Sequence, residues 1–273
     1  MQHIAVKGHE DSLLPEGDWS LVWNDEFDGT ELDRTKWDFR LAMMGKRHPA
    51  WSDKAVHLDG KGNVVFDILL EDGHPVSSQL QTGYNFMDEP VQQTKFGVDH
   101  LQWPIGKLRK NLFTHTYGYY ECRCRLQQRT EGWWSAFWMQ SPTIGATLDP
   151  AESGSEIDIM ECFAKGEVVT HNVFTGGYGL DLKKASCGGM DGLDQTVFHR
   201  FGMLWEKTGY TFYIDGVENG HISEYVSHRP EFILISTEVF GYRGEYHYPK
   251  REAYDIVGQD QFIVDYVRVF DRV

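Results

Sequence analysis

Gly154-Ser155-Glu156-Ile157-Asp158-Ile159-Met160-Glu161 places three carboxylates within six residues, spaced by Ile, Ile and Met. The apolar spacers imply a segment packed on one side against a core, so the acids share an ordered surface. Side chains two apart on a strand share a face, so Glu156 and Asp158 point together. Glu161 lies three beyond Asp158 and would point away from a regular strand. One β-bulge inserts an extra residue and restores the facing, so the spacing predicts a bulge near Ile159-Met160. A helix would put Glu156 and Glu161 about 140° apart and scatter the acids. Three carboxylates held close repel, and their pKa values are driven apart. Such a cluster suits a metal, proton transfer, or both, and at this stage a calcium site or a solvated acidic face stays open.

The flanking sequence has the same period of two. In Tyr117–Leu126, Gly118, Tyr120, Cys122, Cys124 and Leu126 fall on one apolar face, and Tyr119, Glu121, Arg123 and Arg125 on a polar one. Further strands are predicted at Asn63–Leu70, Ser135–Gln140, Glu156–Phe163, Val168–Phe174, Phe201–Glu206, Tyr210–Ile214, Phe232–Glu238 and Phe262–Phe270. Asp72-Gly73 and Asp215-Gly216 carry hairpin-turn signals. No 15-residue stretch keeps a helical apolar stripe. Many short strands with Gly-containing turns indicate an all-β sandwich or barrel. Residues 1–17 read as a loose polar leader and 18–273 as one domain. Residues 71–116 and 141–154 are the longest irregular insertions, candidates for loops that shape a binding face.

Composition narrows the partner. A formal charge of -15 argues against nucleic acid, which needs a basic footprint. It weighs less strongly against a sulfated polymer, because Lys46-Arg47-His48 and Lys107-Leu108-Arg109-Lys110 are locally basic. Aromatics reach 14%, with nine Trp, which fits a large β core and also a cleft that binds sugar rings. The four cysteines show no metal-ligand spacing and read as small buried hydrophobes. The start has no apolar signal-like run and no stretch suits a membrane span, so a cytoplasmic monomer is expected, or a secreted or periplasmic one if a signal has been removed.

Two Glu side chains leaning inward across roughly 16 Å of strand, less when bulged, can approach one another. Retaining glycosidases hold their carboxyls ~5–5.5 Å apart, so the pattern suits a nucleophile and an acid/base with Asp158 between them. Here the chain resembles glycoside hydrolase family 16. Glu156-Ile157-Asp158-Ile159-Met160-Glu161 is similar to the family's bulged E-x-D-x-x-E signature. Gly132–Met139, Tyr117–Arg123, Trp23–Gly29 and Val264–Phe270 resemble its other strand motifs, in the family's order. The resemblance implies a jelly-roll β-sandwich with an open cleft on the concave face. It implies retaining, endo-acting hydrolysis of internal β-linkages in a polysaccharide or oligosaccharide, with a β-1,3- or mixed-linkage glucan the leading substrate and a galactan-type polymer next. A transglycosylase and a non-catalytic sugar-binding sandwich are the rivals.

By position, Glu156 would be the nucleophile, Asp158 its helper and Glu161 the general acid/base. Trp134 and Trp138, four apart on a strand, are candidate sugar platforms. His171 resembles a family position that reaches the cleft, and Glu238 is a charge inside an apolar strand that could meet sugar hydroxyls. No cofactor is expected for catalysis. Family members often bind a structural calcium on the convex side, where Asp265 is the matching side chain. The chain departs from the family at Ser135, where Pro is usual, at the 141–154 insertion, and across residues 85–116.

Overall fold

The computed structural model describes residues 1–43, 45–88, 108–162, 169–242 and 249–273. Two antiparallel sheets form the sandwich. The first runs Lys183–Met190, Val169–Thr175, Glu156–Cys162, Trp133–Gln140, Phe232–Val239, Gln79–Gln81 and Asp38–Phe39. The second runs Val217–Ile222, Gly209–Ile214, His199–Glu206, Gly118–Arg125, Gln261–Arg272, Val64–Asp67 and Val56–Leu58, with Trp19–Asp25 also paired to Gln261–Arg272. Helix among the described residues is confined to Pro150–Ser153, Arg251–Asp255 and a 3-10 turn at Asp53–Ala55.

Strand periodicity builds the core directly. Phe137 and Met139 point inward from the first sheet with Ile157, Val173, Ile233 and Ile235, and meet Tyr120, Cys122, Cys124, Phe201, Met203 and Trp205 from the second. Each large apolar side chain buried this way contributes roughly 1.5–3 kcal/mol. The alternate residues of the Trp133–Gln140 strand, Trp134, Ala136, Trp138 and Gln140, turn the other way and line a cleft. All four cysteines are free, three of them buried in this core. Asp72-Gly73 and Asp215-Gly216 both turn with positive φ at each residue, as the hairpin signals require.

Asn63–Leu70 is two strands: Val64–Asp67 stays in the second sheet, and Leu69–Glu71 leaves to pair with His74–Val76. The break falls at Ile68, which is buried and whose carbonyl accepts the Gly258 N–H at 3.0 Å. The region read as irregular over 71–116 contains His74–Val76 and Gln79–Gln81, while residues 89–107 lie outside the described part. The predicted ends Phe163 and Val168 also lie outside it. Lys183–Met190 and Val217–Ile222, strands without an apolar face strong enough to read from sequence, form the sheet edges.

Residues 1–17 are not a loose leader. Gln2–Ile4 pairs with Ser12–Leu14, and this hairpin covers the outer face of the second sheet. Leu14 packs with Tyr119, Tyr213 and Phe270. Leu13 N–H donates to Oε2 of buried Glu121 at 3.0 Å, and Tyr266 Oη donates to its Oε1 at 2.8 Å. The polar face expected of Tyr119 and Glu121 is therefore interior. Buried Arg268 ties the hairpin to the second sheet: it forks onto Glu26 at 2.9 and 2.7 Å, and donates to Glu10 O and Ser12 Oγ.

Candidate active site

The Glu156–Cys162 strand carries the predicted bulge. Phe137 opposes Met160 while Trp138 opposes Asp158, so Ile159 is extra on that side. On the other side Asp158 opposes Asn172 and Glu161 opposes Thr170, so Ile159 and Met160 together oppose His171. Glu156, Asp158 and Glu161 thereby face one cleft, which also takes Arg40, Met43, Gln79, Trp134, Trp138, Phe174, Tyr178 and Ser236. The cleft holds about 310 Å³.

The strand enters the site under tight control. Gly154 has φ +84, and a Cβ there would meet the Ser141 Cβ at 2.1 Å, so only glycine lets the end of the 141–154 insertion close onto its start. Ser155 N–H then donates to Oε1 of buried Glu231 at 2.9 Å. Burial pushes the Glu231 carboxyl up to about 8. The folded chain therefore holds this proton to higher pH than the unfolded chain, whose carboxyl titrates near 4.5. The Glu231 contribution to stability is complete below pH ~4.5 and is lost as pH rises through ~8. Glu231→Gln, neutral at every pH, is expected to melt higher than wild type at pH 8 and to lose that advantage near pH 4.5. Melting curves at the two pH values check this, and a constant difference would refute it.

Electrostatics divide the three acids. Burial, then the charges of Glu161 and Glu156, drive the Asp158 carboxyl well above its ordinary range, which favours its protonated form. A protonated Asp158 adds no third charge and can act as a hydrogen-bond donor. Lys184 opposes this shift from the edge strand, one strand beyond Val169–Thr175. Asn172 donates to Glu161 Oε2 at 2.9 Å, and its own Oδ1 accepts from Ser186 Oγ at 2.8 Å. Tyr178 Oη donates to Glu156 Oε2.

The other expected residues divide. Trp134 and Trp138 do share the cleft face. Trp138 is only 8% exposed: its Nε1 donates to Ser236 Oγ at 2.8 Å, and the Arg40 guanidinium sits 5.3 Å from its ring centre. Glu238 opposes Trp134 in register and is 1% exposed, so it lies on the cleft side of the sheet without lining the cleft itself.

His171 does not reach the cleft. Its strand phase is opposite to that of Asn172, and it points into the core, stacked on Phe212 at 4.7 Å. Its Nδ1 bonds to the Ile159 carbonyl at 2.7 Å, so it fastens the bulge from behind. Burial holds the imidazole below its usual pKa, so it stays neutral.

Asp265 accepts from Arg123 Nη1 at 2.5 Å, and Arg200 lies on the same surface. A calcium ion there would have to displace a guanidinium from its carboxylate. Among the described residues no three His, Cys, Asp or Glu side chains group to hold a metal. The donor set does not fit the expected ion, and no step is routed through one.

Sequence reasoning missed Tyr178, Gln140, Asn172, Arg40 and Glu231. Gln140 and Asn172 were within reach, because they occupy the cleft phase of the two strands flanking the acids. Tyr178 and Arg40 come from loops and carry no periodic signal.

The sequence model of glycosyl hydrolases family 16 matches residues 76–232. The chain is 27% identical over 206 residues to glucan endo-1,3-beta-glucosidase A1 of Niallia circulans, an alignment covering 72% of this chain and 28% of that one. The chain thus matches little more than a quarter of that relative's length. It is 26% identical over 230 residues to beta-porphyranase B of Zobellia galactanivorans, covering 77% and 70% of the two chains. The laminarinase of Rhodothermus marinus superposes with a TM-score of 0.67 at 23% identity, over 94% of this chain and 98% of that one, which establishes the shared β-sandwich fold. The matched span runs from the Gln79–Gln81 strand through the bulged acidic strand to Phe232, more than half of the sequence, and on that ground the chain belongs to glycosyl hydrolases family 16.

Proposed function

We propose that this protein is an endo-acting retaining β-glycosidase that cleaves internal linkages of a β-1,3- or mixed-linkage glucan by double displacement. The observation that carries the reading is the bulged strand, which turns Glu156, Asp158 and Glu161 into one cleft. Glu156 attacks the anomeric carbon while Glu161 gives its proton to the departing glycosidic oxygen. The C–O bond breaks, and a glycosyl ester forms on Glu156. Glu161, now a carboxylate, takes a proton from water, and that water attacks the anomeric carbon and frees Glu156. Neutral Asp158 hydrogen-bonds its neighbours and steadies them through both steps. No cofactor is required, because side chains fill every role.

The glucan is supported by the endo-1,3-beta-glucosidase relative. A galactan-type polymer is a second reading, supported by the porphyranase relative. Reducing-end release from laminarin, lichenan, agar, carrageenans and arabinogalactan separates them. Proton NMR of fresh product is expected to show the β-anomer first, with the α-anomer growing in by mutarotation. An initial α-anomer would refute double displacement. Sugar binding without release on any polymer would favour a binding module, and products longer than the substrate would favour a transglycosylase.

A further inference from the structure

The segment after the Val169–Thr175 strand makes a sharp return. Gly176 and Gly177 have φ of 80 and 78, and a Cβ on Gly176 would sit 2.2 Å from the Asp181 carbonyl oxygen. That turn sends Tyr178 back over the cleft. Its ring packs against Phe86, Met87 and Ile144, with Ala146 alongside. Ile144 and Ala146 belong to the 141–154 insertion, and Phe86 and Met87 to the segment after Gln79–Gln81. These two segments are tied together by Phe86 N–H to Pro142 O at 3.1 Å and by Asn85 Nδ2 to Ser141 O at 2.8 Å. The two regions that depart from the family pattern therefore meet under one tyrosine.

The hydroxyl of that tyrosine is committed. It donates to Glu156 Oε2 and accepts from Gln140 Nε2 at 2.5 Å, while the same amide nitrogen lies 3.4 Å from Glu156 Oε2. Burial, then the Glu156 charge, keep Tyr178 a phenol far above its usual range, so it remains a donor at working pH. The Arg40 charge acts on the same hydroxyl from the opposite wall.

We propose that Tyr178 is a positioning residue for the nucleophile: its hydroxyl holds the Glu156 carboxylate by Oε2, in one orientation and ionised, and the 141–154 insertion acts as its buttress. A hydrogen bond to the charged form of an acid favours that form. The donor also stabilises the carboxylate as it departs from the glycosyl ester, so it serves both half-reactions. The proposal rests on Glu156 being the nucleophile. Glu156→Gln retaining activity would strike that reading itself, whereas the variants below test only the tyrosine.

Tyr178→Phe keeps the ring in its packing and removes only the hydroxyl. It is expected to lower kcat about tenfold and to move the acidic limb of kcat/KM up by about one pH unit, with little change in melting temperature. The other ionisable groups around Glu156, namely Arg40 with its partner Asp88, Lys184, Asp158, Glu161 and Glu231, are untouched in this variant, so the limb reports the lost donor. Ile144→Ala, which loosens the buttress, is expected to move the limb the same way by less. Wild-type kcat and limb in Tyr178→Phe, with loss only in Tyr178→Ala, would reduce the residue to ring packing and overturn the proposal. So would a change confined to KM. A limb unmoved in Ile144→Ala, despite a lower melting temperature, would overturn the buttress.

Discussion

Glu156→Ala is expected to lose at least ~10⁴-fold in kcat, about 5.5 kcal/mol of transition-state stabilisation, while melting like the wild type. The side chain is partly exposed to the cleft and contributes no core packing, so its removal touches chemistry and leaves the sandwich standing. With Glu156 gone the first displacement has no attacking group. Azide, small and anionic, can enter the space left and attack the anomeric carbon itself. On an activated aryl glycoside this gives a single inversion and an α-glycosyl azide. Glu161→Ala behaves differently. Its nucleophile is intact, so an activated leaving group departs without acid help, and azide then intercepts the glycosyl ester to give the β-glycosyl azide. Loss from Glu161→Ala on an unactivated substrate is expected to be roughly 10²–10⁴-fold. Product stereochemistry thus assigns each carboxylate its role. Interchanged azide anomers would reverse the assignment, and activity above ~1% in Glu156→Ala would remove Glu156 from the mechanism.

The second large effect is on stability. Arg268→Ala is expected to cost about 3–5 kcal/mol, a fall in melting temperature of roughly 10 °C. Burial alone would raise the Glu26 carboxyl, but hydrogen bonds from Arg268 and Asn24 outweigh it and hold Glu26 below its usual range. Without the guanidinium, a buried carboxylate is left without its main counter-charge. Glu10 O and Ser12 Oγ lose their donor at the same moment, so the N-terminal hairpin loosens with the Glu26 pair. Because Glu26 would then take up a proton more readily, the deficit is expected to narrow as pH falls below the usual carboxylate range. Thermal melts across pH check both parts. A loss below 1 kcal/mol would show that the hairpin is held by Leu14 packing alone.

The legible parts of the molecule are those governed by alternation. Glu156 and Asp158 in phase, the bulge at Ile159-Met160 and the shared face of Trp134 and Trp138 all follow from a period of two and one exception to it. The same alternation turns His171 away from the cleft: it is one residue from Asn172, and the residue that touches Glu161 is Asn172. Asp265 failed for another reason, since nothing local reveals that Arg123 on the adjacent strand takes its carboxylate. The hairpin over 1–17 was hidden because its partners, Glu121 and Arg268, lie more than a hundred residues away, and a polar segment over buried charges looks like a polar segment in water. Tyr178 lies in a glycine-rich turn whose direction depends on two insertions, and no pattern within the turn encodes it.

The extra residue in the acidic strand also frees the motif from a fixed length. On a plain strand an odd spacer keeps two side chains in phase; with a bulge an even spacer does so. A shorter relative lacking either Ile159 or Met160 could carry the same three acids on the same side. What changes is the account behind the sheet, where the Ile159 carbonyl receives the His171 imidazole. Remove the extra residue and the Nδ1 contact is lost, leaving the imidazole, deep beside Phe212, held through Nε2 by Asn219 Oδ1 alone. Length at 159–160 and residue type at 171 are therefore a coupled pair, free to vary together and costly to vary apart.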